Sequence, residues 1–272
     1  MARQGSVNGP PGAAAAPGSG RAATPPLPAP QACALFLDFD GTLAHFAARP
    51  HEVVVDPELR ALLVGLHAAT GGATAVVSGR SIADLDRMLE PLRLPLSGLH
   101  GVERRRADGS VQRMQLPAAA VARVRAGLRA VARGHAGLYV EDKGAAFAVH
   151  YRGVDVALGP LRQALQELAA DSGGVFELQP GAEVLELKAA GLDKGRAVES
   201  FMQEPPFLGR RALFLGDDPG DAHGFAAAAR AGGFGVAVGS RVAAHWRLAD
   251  PQAVRRWLAT LVGTDGWTAR PT

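Results

Sequence analysis

The chain has 272 residues, of which 47% are hydrophobic and 20% charged, so it is long enough for one large α/β domain or two smaller ones. Its formal charge of +3 comes with scattered arginines and no aromatic platform, which argues against a nucleic-acid partner and suits a small anionic ligand better. Cys33 is the single cysteine, which excludes a disulfide framework and a cysteine-based zinc site, and no apolar run approaches the ~18 residues of a membrane span.

The first thirty residues differ from the rest, because 20 of them are alanine, glycine or proline. Such a segment cannot bury enough apolar surface to order itself. It also lacks the apolar core of a signal peptide. The composition therefore predicts a disordered tail over residues 1–31 of a cytoplasmic protein.

Residues 32–103 alternate between strand and helix patterns. The apolar run at 32–38 predicts a buried strand, and "DPELRALLVGLHAAT" predicts the helix that follows it. The next strand is "ATAVVSG", after which Ser81 and Asp84 have the spacing of a capping box at the start of "SIADLDRMLE". "LPLSGLHG" predicts a third strand. This alternation predicts a doubly wound, parallel α/β sheet.

Residues 104–187 have a different pattern, with hairpins in place of the strand–helix alternation. "VERRRADGSVQRMQL", "LYVEDKGAAFAVHYR" and "VFELQPGAEVLELK" each predict two short strands around a turn, and two amphipathic helices lie among them. The strand–helix alternation then resumes. The sequence therefore predicts an α/β core over 32–103 and 188–272, with an inserted α+β cap domain over 104–187.

Polar residues stand where the predicted core strands end or where a helix begins. They are Asp38 and Asp40 in "DFDGT", Ser78 in "SGR", Lys194 in "DKG", and Asp217 and Asp218 in "GDD". Ligand sites of open α/β sheets lie at the carboxyl ends of the strands, so these groups should converge. Carboxylates can hold Mg²⁺, while a hydroxyl and an ammonium can hold phosphoryl oxygens. The set is suited to phosphoryl transfer.

The four motifs resemble those of the haloacid dehalogenase superfamily of phosphatases. Further segments, "GLHGVE", "EDKGAAFAVHYR", "VLELKAAGLDKG" and "AAHWRLADPQAVRRWL", resemble trehalose-6-phosphate phosphatases, and the likeness extends over about residues 33–260. The short motifs indicate only the superfamily, whereas the cap segments carry the narrower likeness. The resemblance implies a phosphatase that acts on trehalose 6-phosphate with Mg²⁺ as cofactor, without a nucleic-acid or membrane partner, and we expect a monomer.

The resemblance also implies a role for each motif. The residue matching Asp38 attacks phosphorus and becomes an aspartyl phosphate, and the residue matching Asp40 protonates the leaving oxygen and then activates water. Ser78 would bind a phosphoryl oxygen, and Lys194 would neutralise Asp38 and the developing charge. The metal is expected at four aspartates, the second through its main-chain carbonyl: Asp38, Asp40, Asp217 and Asp218.

Sugar recognition is assigned by the same likeness, and charged groups make the stronger hydrogen bonds to hydroxyls. The expected substrate-binding residues are Ser78, Gly79 and Arg80 of "SGR", His100 of "GLHG" and, in the cap, Glu141, Lys143, Glu183 and Lys188. The chain has only three lysines against 26 arginines, and two of the three stand near these glutamates, which favours a retained function for them. His150 is interpreted as a cap-packing residue.

The segment after "GDD" departs from the family, with Gly220 and Ala222 where threonine and glutamate are usual, which predicts altered metal affinity with activity retained. Asp221 is interpreted as a helix N-cap, with a place beside the metal as the alternative. Three other functions stay open: another capped sugar phosphatase, a catalytically silent sugar-phosphate-binding regulator, and a nucleic-acid binder. Retention of Asp38 and Asp40 argues against the second.

Overall fold

The computed structural model describes residues 24–47, 49–181 and 183–263. Its strands are β1 (Cys33–Leu37), β2 (Thr74–Val77), β3 (Leu96–Gly98), β4 (Glu103–Arg105), β5 (Val111–Arg113), β6 (Tyr139–Asp142), β7 (Phe147–His150), β8 (Phe176–Gly181), β9 (Val184–Ala189), β10 (Arg211–Gly216), β11 (Phe234–Val238) and β12 (Trp246–Leu248). Its helices are α1 (Pro57–Ala69), α2 (Ile82–Leu89), α3 (Ala118–Gly134), α4 (Leu158–Asp171), α5 (Lys194–Met202), α6 (Ala222–Arg230) and α7 (Pro251–Leu261). Among these described helices, none has the length and apolar character needed to cross a membrane.

The larger module is built on an eight-stranded sheet in the order β12-β11-β10-β1-β2-β3-β4-β5. β1 lies at its centre, paired in parallel with β10 and β2, and all five of its residues are buried. Leu35 packs on the face covered by α1 and α7, while Phe36 packs on the opposite face under α5 and α6. Because both faces are covered, β1 is apolar throughout and does not alternate.

The smaller module is an antiparallel sheet in the order β6-β7-β9-β8, with α3 and α4 packed against one face. Leu185 and Leu187 of β9 join the cluster formed with these helices. Glu186 lies between them in the strand, so its side chain points to the other face. That face carries polar side chains and is turned toward the core.

The predicted fold class is confirmed: a mostly parallel α/β sheet carries a separate α+β module. The predicted boundary between the modules needs a correction. The first hairpin forms β4 and β5, which pair antiparallel and extend the larger sheet from β3. Arg105 anchors the hairpin there, because its buried guanidinium donates to Leu94 O at 2.8 Å and to Asp86 at 2.6 Å. The cap therefore begins after Arg113 and ends with β9, in place of 104–187.

The predicted disordered tail also needs a correction at its end. Residues 1–23 lie outside the described residues. Residues 24–31 contact the core, because Pro25 is buried and its carbonyl accepts a hydrogen bond from Trp257 Nε1 at 3.1 Å. A 3-10 helix over Pro30–Ala32 then leads into β1. The stretch from 24 to 31 is thus part of the folded module.

Removal of residues 1–30 should lower the melting temperature below that of a chain lacking only residues 1–23. The longer truncation removes the carbonyl that Trp257 Nε1 bonds, and a donor left unpaired costs up to about 1–3 kcal/mol. A chain of this size loses about 2–4 °C for each kcal/mol. Differential scanning fluorimetry of the two truncations isolates the contribution of 24–30, and equal melting temperatures would mean that the Pro25 contact adds no stability.

Candidate active site

A cavity of about 180 Å³ lies between the carboxyl edge of the larger sheet and the polar face of the cap sheet. The core lines it with Asp38, Asp40, Ser78, Gly79, Arg80, His100, Lys194, Asp217 and Asp218. The cap lines it with Glu141, Lys143, His150, Arg152, Gln179, Glu183 and Glu186. The structure therefore brings together every predicted site residue except Lys188.

Lys194 is a buried cation held between two carboxylates. It is the first residue of α5, and its Nζ donates to Asp38 Oδ1 at 2.7 Å and to Asp221 Oδ1 at 2.6 Å. Burial opposes the charge of this lysine, but the two carboxylates outweigh burial and raise its pKa. One ammonium cannot neutralise both carboxylates, and burial together with the excess negative charge raises the pKa of Asp38 to about 7.

The excess negative charge lies in a cluster of three aspartates. Asp38, Asp217 and Asp221 each offer one carboxylate oxygen, and these oxygens all lie within 4.8 Å of one another. Buried, hard oxygen donors of this kind fit Mg²⁺. A divalent cation here would also remove the charge excess that raises the pKa of Asp38. The residues present therefore fit the expected metal.

Two of the four predicted metal ligands lie in this cluster, and two do not. Asp218 is outside it, since its Oδ1 caps the following turn by accepting the Gly220 N–H at 2.9 Å. The Asp40 carboxylate bonds to Arg80, so Asp40 could serve only through its main chain, as expected. The cluster has Asp221 in place of Asp218.

Asp221 occupies the N-cap position of α6, as expected, but its side chain does not serve as the cap and makes no capping bond to the helix. It is fully buried, and its Oδ2 accepts the backbone N–H groups of Asp217 and Asp218, both at 2.9 Å, while Oδ1 takes Lys194. Asp221 thereby holds the loop after β10 against the first residue of α5.

Gly41 gives the loop that carries Asp38 and Asp40 its close approach to Asp217. Its φ is +82°, a left-handed conformation that favours glycine. A Cβ at this position would overlap the carboxylate of Asp217 and would lie 2.5 Å from Cε2 of Phe46. The glycine after the two aspartates is therefore required both by the backbone and by the space that the acidic cluster occupies.

Asp40 is held by a two-pronged ion pair. Arg80 Nε donates to Asp40 Oδ2 at 2.6 Å and Nη2 to Oδ1 at 2.7 Å, and Nη2 also donates to Pro50 O at 2.8 Å. Burial disfavours the charge of Arg80, but the bonds to Asp40 outweigh it and raise the Arg80 pKa. Arg80, expected to bind substrate, lines the cavity and at the same time orients the Asp40 carboxylate.

The segment after β2 meets the cap directly. Ser78 is buried and its Oγ accepts the Arg80 N–H at 3.2 Å. Gly79 O accepts a hydrogen bond from Lys143 Nζ of the cap at 3.2 Å. A Cβ on Gly79 would lie 2.7 Å from His100 Nε2, so only glycine leaves room for that imidazole. These contacts place cap and core groups on one wall of the cavity.

Glu186 is the centre of the charged groups on the cap side. Its carboxylate lies 3.1 Å from His100 Nε2 and 3.4 Å from Lys143 Nζ. Burial would raise the Glu186 pKa, but His100 and Lys143 outweigh it and lower the pKa. Glu141 lies beside this group, with His150 Nε2 at 3.1 Å and Lys143 Nζ at 3.7 Å. His150, expected only to pack the cap, is thus a cavity residue.

Lys188 does not line the cavity, and its expected role in binding sugar is corrected. Its side chain is 3% exposed and its Nζ bonds to Glu177 and to the carbonyl of Leu192. Glu177 is the residue directly opposite Lys188 in the β8–β9 pairing. The pair stabilises the end of β9 and the turn toward α5, outside the lining of the cavity.

Several cavity residues were not identified from the sequence: Glu186, Arg152, Gln179, Phe46 and His150. Glu186 stands in the quoted segment "EVLELK" two positions before Lys188, so strand alternation already placed it on the face that Lys188 shares. Arg241, which follows β11 and bonds Asp217, was also missed. It is one of 26 arginines, and no motif distinguishes it.

Structural comparison places this fold among capped phosphatases. A solved structure titled a trehalose-6-phosphate phosphatase related protein is 26% identical, with a TM-score of 0.69, and the match covers 84% of this chain and 96% of that chain. The C-terminal domain of C. albicans trehalose-6-phosphate phosphatase has the same fold at 22% identity, with a TM-score of 0.76 over 86% of this chain and 93% of that one. The fold is that of haloacid dehalogenase phosphatases, and the family whose model matches this chain consists of phosphoric monoester hydrolases.

Sequence comparison identifies the family within this class of phosphatases. The model of the trehalose-phosphatase family matches residues 36–252. The trehalose-6-phosphate phosphatase of Escherichia coli (strain K12) is 41% identical over 229 residues, which is 83% of this chain and 85% of the relative. The chain belongs to the trehalose-phosphatase family.

Proposed function

We propose that this protein hydrolyses trehalose 6-phosphate to trehalose and phosphate, with Mg²⁺ and through an aspartyl-phosphate intermediate. The observation that carries the proposal is the position of Asp38, whose carboxylate is held by Lys194 beside the cluster with Asp217 and Asp221. A cap rich in fixed charges lies across the same cavity.

The reaction would proceed in two displacements. In the first, an oxygen of Asp38 attacks phosphorus, the bond from phosphorus to the sugar oxygen breaks, and Asp40 gives that oxygen a proton. In the second, Asp40 takes a proton from water, whose oxygen attacks phosphorus and returns Asp38 as a carboxylate. Ser78 and Lys194 would bind phosphoryl oxygens in both steps.

Asp38, Asp217 and Asp221 are the side chains that would hold Mg²⁺, together with the main chain of Asp40. The ion would supply positive charge to the carboxylates and to the phosphoryl oxygens. Removal of metal with EDTA should abolish phosphate release, and added Mg²⁺ should restore it. Undiminished turnover in EDTA, with metal content checked by atomic emission, would contradict the metal requirement.

Sugar recognition would come from the cap groups that already lie in fixed positions. Lys143 Nζ lies 3.7 Å from Glu141 and 3.4 Å from Glu186, so these donors and acceptors are preorganised. Polyhydroxyl ligands need such fixed partners, and charged groups make the stronger hydrogen bonds. Arg152, Gln179 and Glu183 extend this polar wall along the cap side.

Phosphate release across a panel of phosphorylated sugars tests the proposed substrate. We expect the highest kcat/KM with trehalose 6-phosphate. A higher value with sucrose or mannosylglycerate phosphates would assign the chain to another sugar substrate. Binding of sugar phosphates without turnover would instead favour a regulator.

Glu186 and Lys188 form a matched pair for testing the cap. Glu186→Gln should lower kcat/KM for trehalose 6-phosphate by about 10- to 100-fold, which is the loss expected for one charge-assisted hydrogen bond. The fall in kcat/KM for p-nitrophenyl phosphate should be several-fold smaller. Lys188→Met should leave the ratio of the two activities unchanged and lower the melting temperature, because it removes the buried bonds to Glu177 and Leu192. Equal shifts of the ratio in both variants would contradict this assignment.

A further inference from the structure

Phe46 is an aromatic residue in the lining of the cavity. It follows β1 in the loop that leads to α1, it lines the cavity, and it is 43% exposed. Exposure alone does not assign a role to the ring, and what the ring can do depends on its neighbours.

The ring lies against the turn that carries the nucleophile. A Cβ built on Gly41 would lie 2.5 Å from Phe46 Cε2, so ring and glycine are in direct contact. The Asp217 carboxylate is also close to Gly41, because the same added Cβ would overlap it. Gly41 therefore lies next to both the ring and this carboxylate. The ring is therefore part of the wall beside the acidic cluster.

Two guanidinium groups from different modules contact this ring. Cζ of Arg241, in the core, lies 4.7 Å from the ring centroid, and Cζ of Arg152, in the cap, lies 5.8 Å from it. Arg241 also bonds Asp217. Arg152 donates to Glu183 at 2.7 Å and, across the cleft, to Ala47 O at 3.0 Å.

The two guanidiniums repel each other. Each guanidinium has an anionic partner of its own, Asp217 for Arg241 and Glu183 for Arg152, and both also contact the same ring. The face of an aromatic ring attracts cations, and an aliphatic side chain of the same bulk does not.

We propose that Phe46 is a positioning residue that joins the cap to the core: its ring attracts Arg152 of the cap while contacting Arg241 of the core, and so holds the cap over the nucleophile loop. A cation–π contact at an exposed site corresponds to about a two- to fivefold change in an equilibrium. Loss of the ring should shift the ratio of closed to open cap by that factor. The consequence for trehalose 6-phosphate turnover rests on the proposed function, but cap position itself does not.

Double electron–electron resonance measures cap position without any substrate. Spin labels would be placed by Val64→Cys on α1 of the core and Gln166→Cys on α4 of the cap, which are both exposed, while native Cys33 is fully buried. We expect Phe46→Leu to raise the ratio of long to short distances about two- to fivefold. Phe46→Tyr, which keeps the aromatic face, should match the unsubstituted chain. An unchanged distribution in Phe46→Leu, or an equal change in Phe46→Tyr, would overturn the proposal.

A double-mutant cycle identifies Arg152 as the partner. Arg152→Gln alone should open the cap, and Phe46→Leu should then add little, because the cation that the ring attracts is already gone. Fully additive effects would overturn the pairing. A raised KM for trehalose 6-phosphate in Phe46→Leu with an unchanged distance distribution would mean that the ring contacts the sugar directly, which also overturns the proposal. Failure to hydrolyse trehalose 6-phosphate would leave these distance measurements unaffected.

Discussion

Asp38→Asn should abolish phosphate release while the protein stays folded. An amide cannot form the acyl phosphate, so kcat should fall by roughly three orders of magnitude or more, as it does when other enzymes with covalent intermediates lose their nucleophile. The fold should persist because asparagine has nearly the same shape as aspartate and Lys194 keeps its bond to Asp221 at 2.6 Å. Release of inorganic phosphate from trehalose 6-phosphate measures the loss.

The pKa of Asp38 predicts how this substitution changes the stability of the protein. Burial and excess negative charge raise the pKa of Asp38 to about 7, above the value of 3.8 for an exposed aspartate. The folded chain therefore binds that proton more tightly than the unfolded chain does, so the contribution of this group to stability falls as the pH rises from about 3.8 to about 7, and the full cost remains at higher pH. In EDTA at pH 8, Asp38→Asn should melt at or above the temperature of the unsubstituted protein.

Asp40→Asn is the matched control, because it makes the same chemical change two residues away. It should lower turnover by about 10²- to 10⁴-fold through loss of acid and base catalysis. It retains the nucleophile, so a chain carrying the added mass of one phosphoryl group should accumulate, as mass spectrometry would detect. Substantial turnover by purified Asp38→Asn, or a phosphorylated form of it, would refute the assigned nucleophile.

The fold was accessible from sequence wherever the signal was local. Apolar runs bounded by turns gave β1 and β2, and the spacing of Ser81 and Asp84 marked the start of α2, where Ser81 Oγ indeed accepts the Asp84 N–H. The first hairpin was placed in the wrong module because a hairpin pattern is the same in either sheet. Its sheet is decided by pairing of β4 with β3, a contact that residue type alone does not reveal.

The site shows the same division between local and non-local signals. Strand-end residues such as Asp38 and Ser78 converge because parallel strands share one edge, which the motifs already indicate. Lys188 and Glu186 share a face of β9, and only the register with β8, which sets Glu177 opposite Lys188, shows that Lys188 is bound to another residue of the cap. Arg152 reaches its place by tertiary packing, so its sequence neighbours give no sign of it.

Lys194→Met should cost both activity and stability, and the two losses can be separated. The ammonium bonds Asp38 and Asp221, and its loss leaves buried carboxylates without their cation. Breaking a buried ion pair on one side costs about 3–5 kcal/mol of unfolding free energy. Turnover should fall by about 10²- to 10³-fold or more, since the charge that we propose to face the phosphoryl group is lost. Urea unfolding in EDTA and phosphate release measure the two effects.

Lys194→Arg should also lose activity. A planar guanidinium is wider than an ammonium, and the space between the Asp38 and Asp221 carboxylates holds a single ammonium.

The double variant Lys194→Met with Asp221→Asn separates the effect of unpaired charge on stability from the effect on catalysis. It removes one of the stranded carboxylates, so it should regain part of the unfolding free energy lost in Lys194→Met. Phosphate release should stay at or below the level of the single variant, because Asp221 is also one of the proposed Mg²⁺ ligands. If the double variant were no more stable than Lys194→Met, the stability loss would come from the missing packing of the lysine chain and not from unpaired charge. Recovery of activity in either variant would mean that the phosphoryl group is neutralised by another cation.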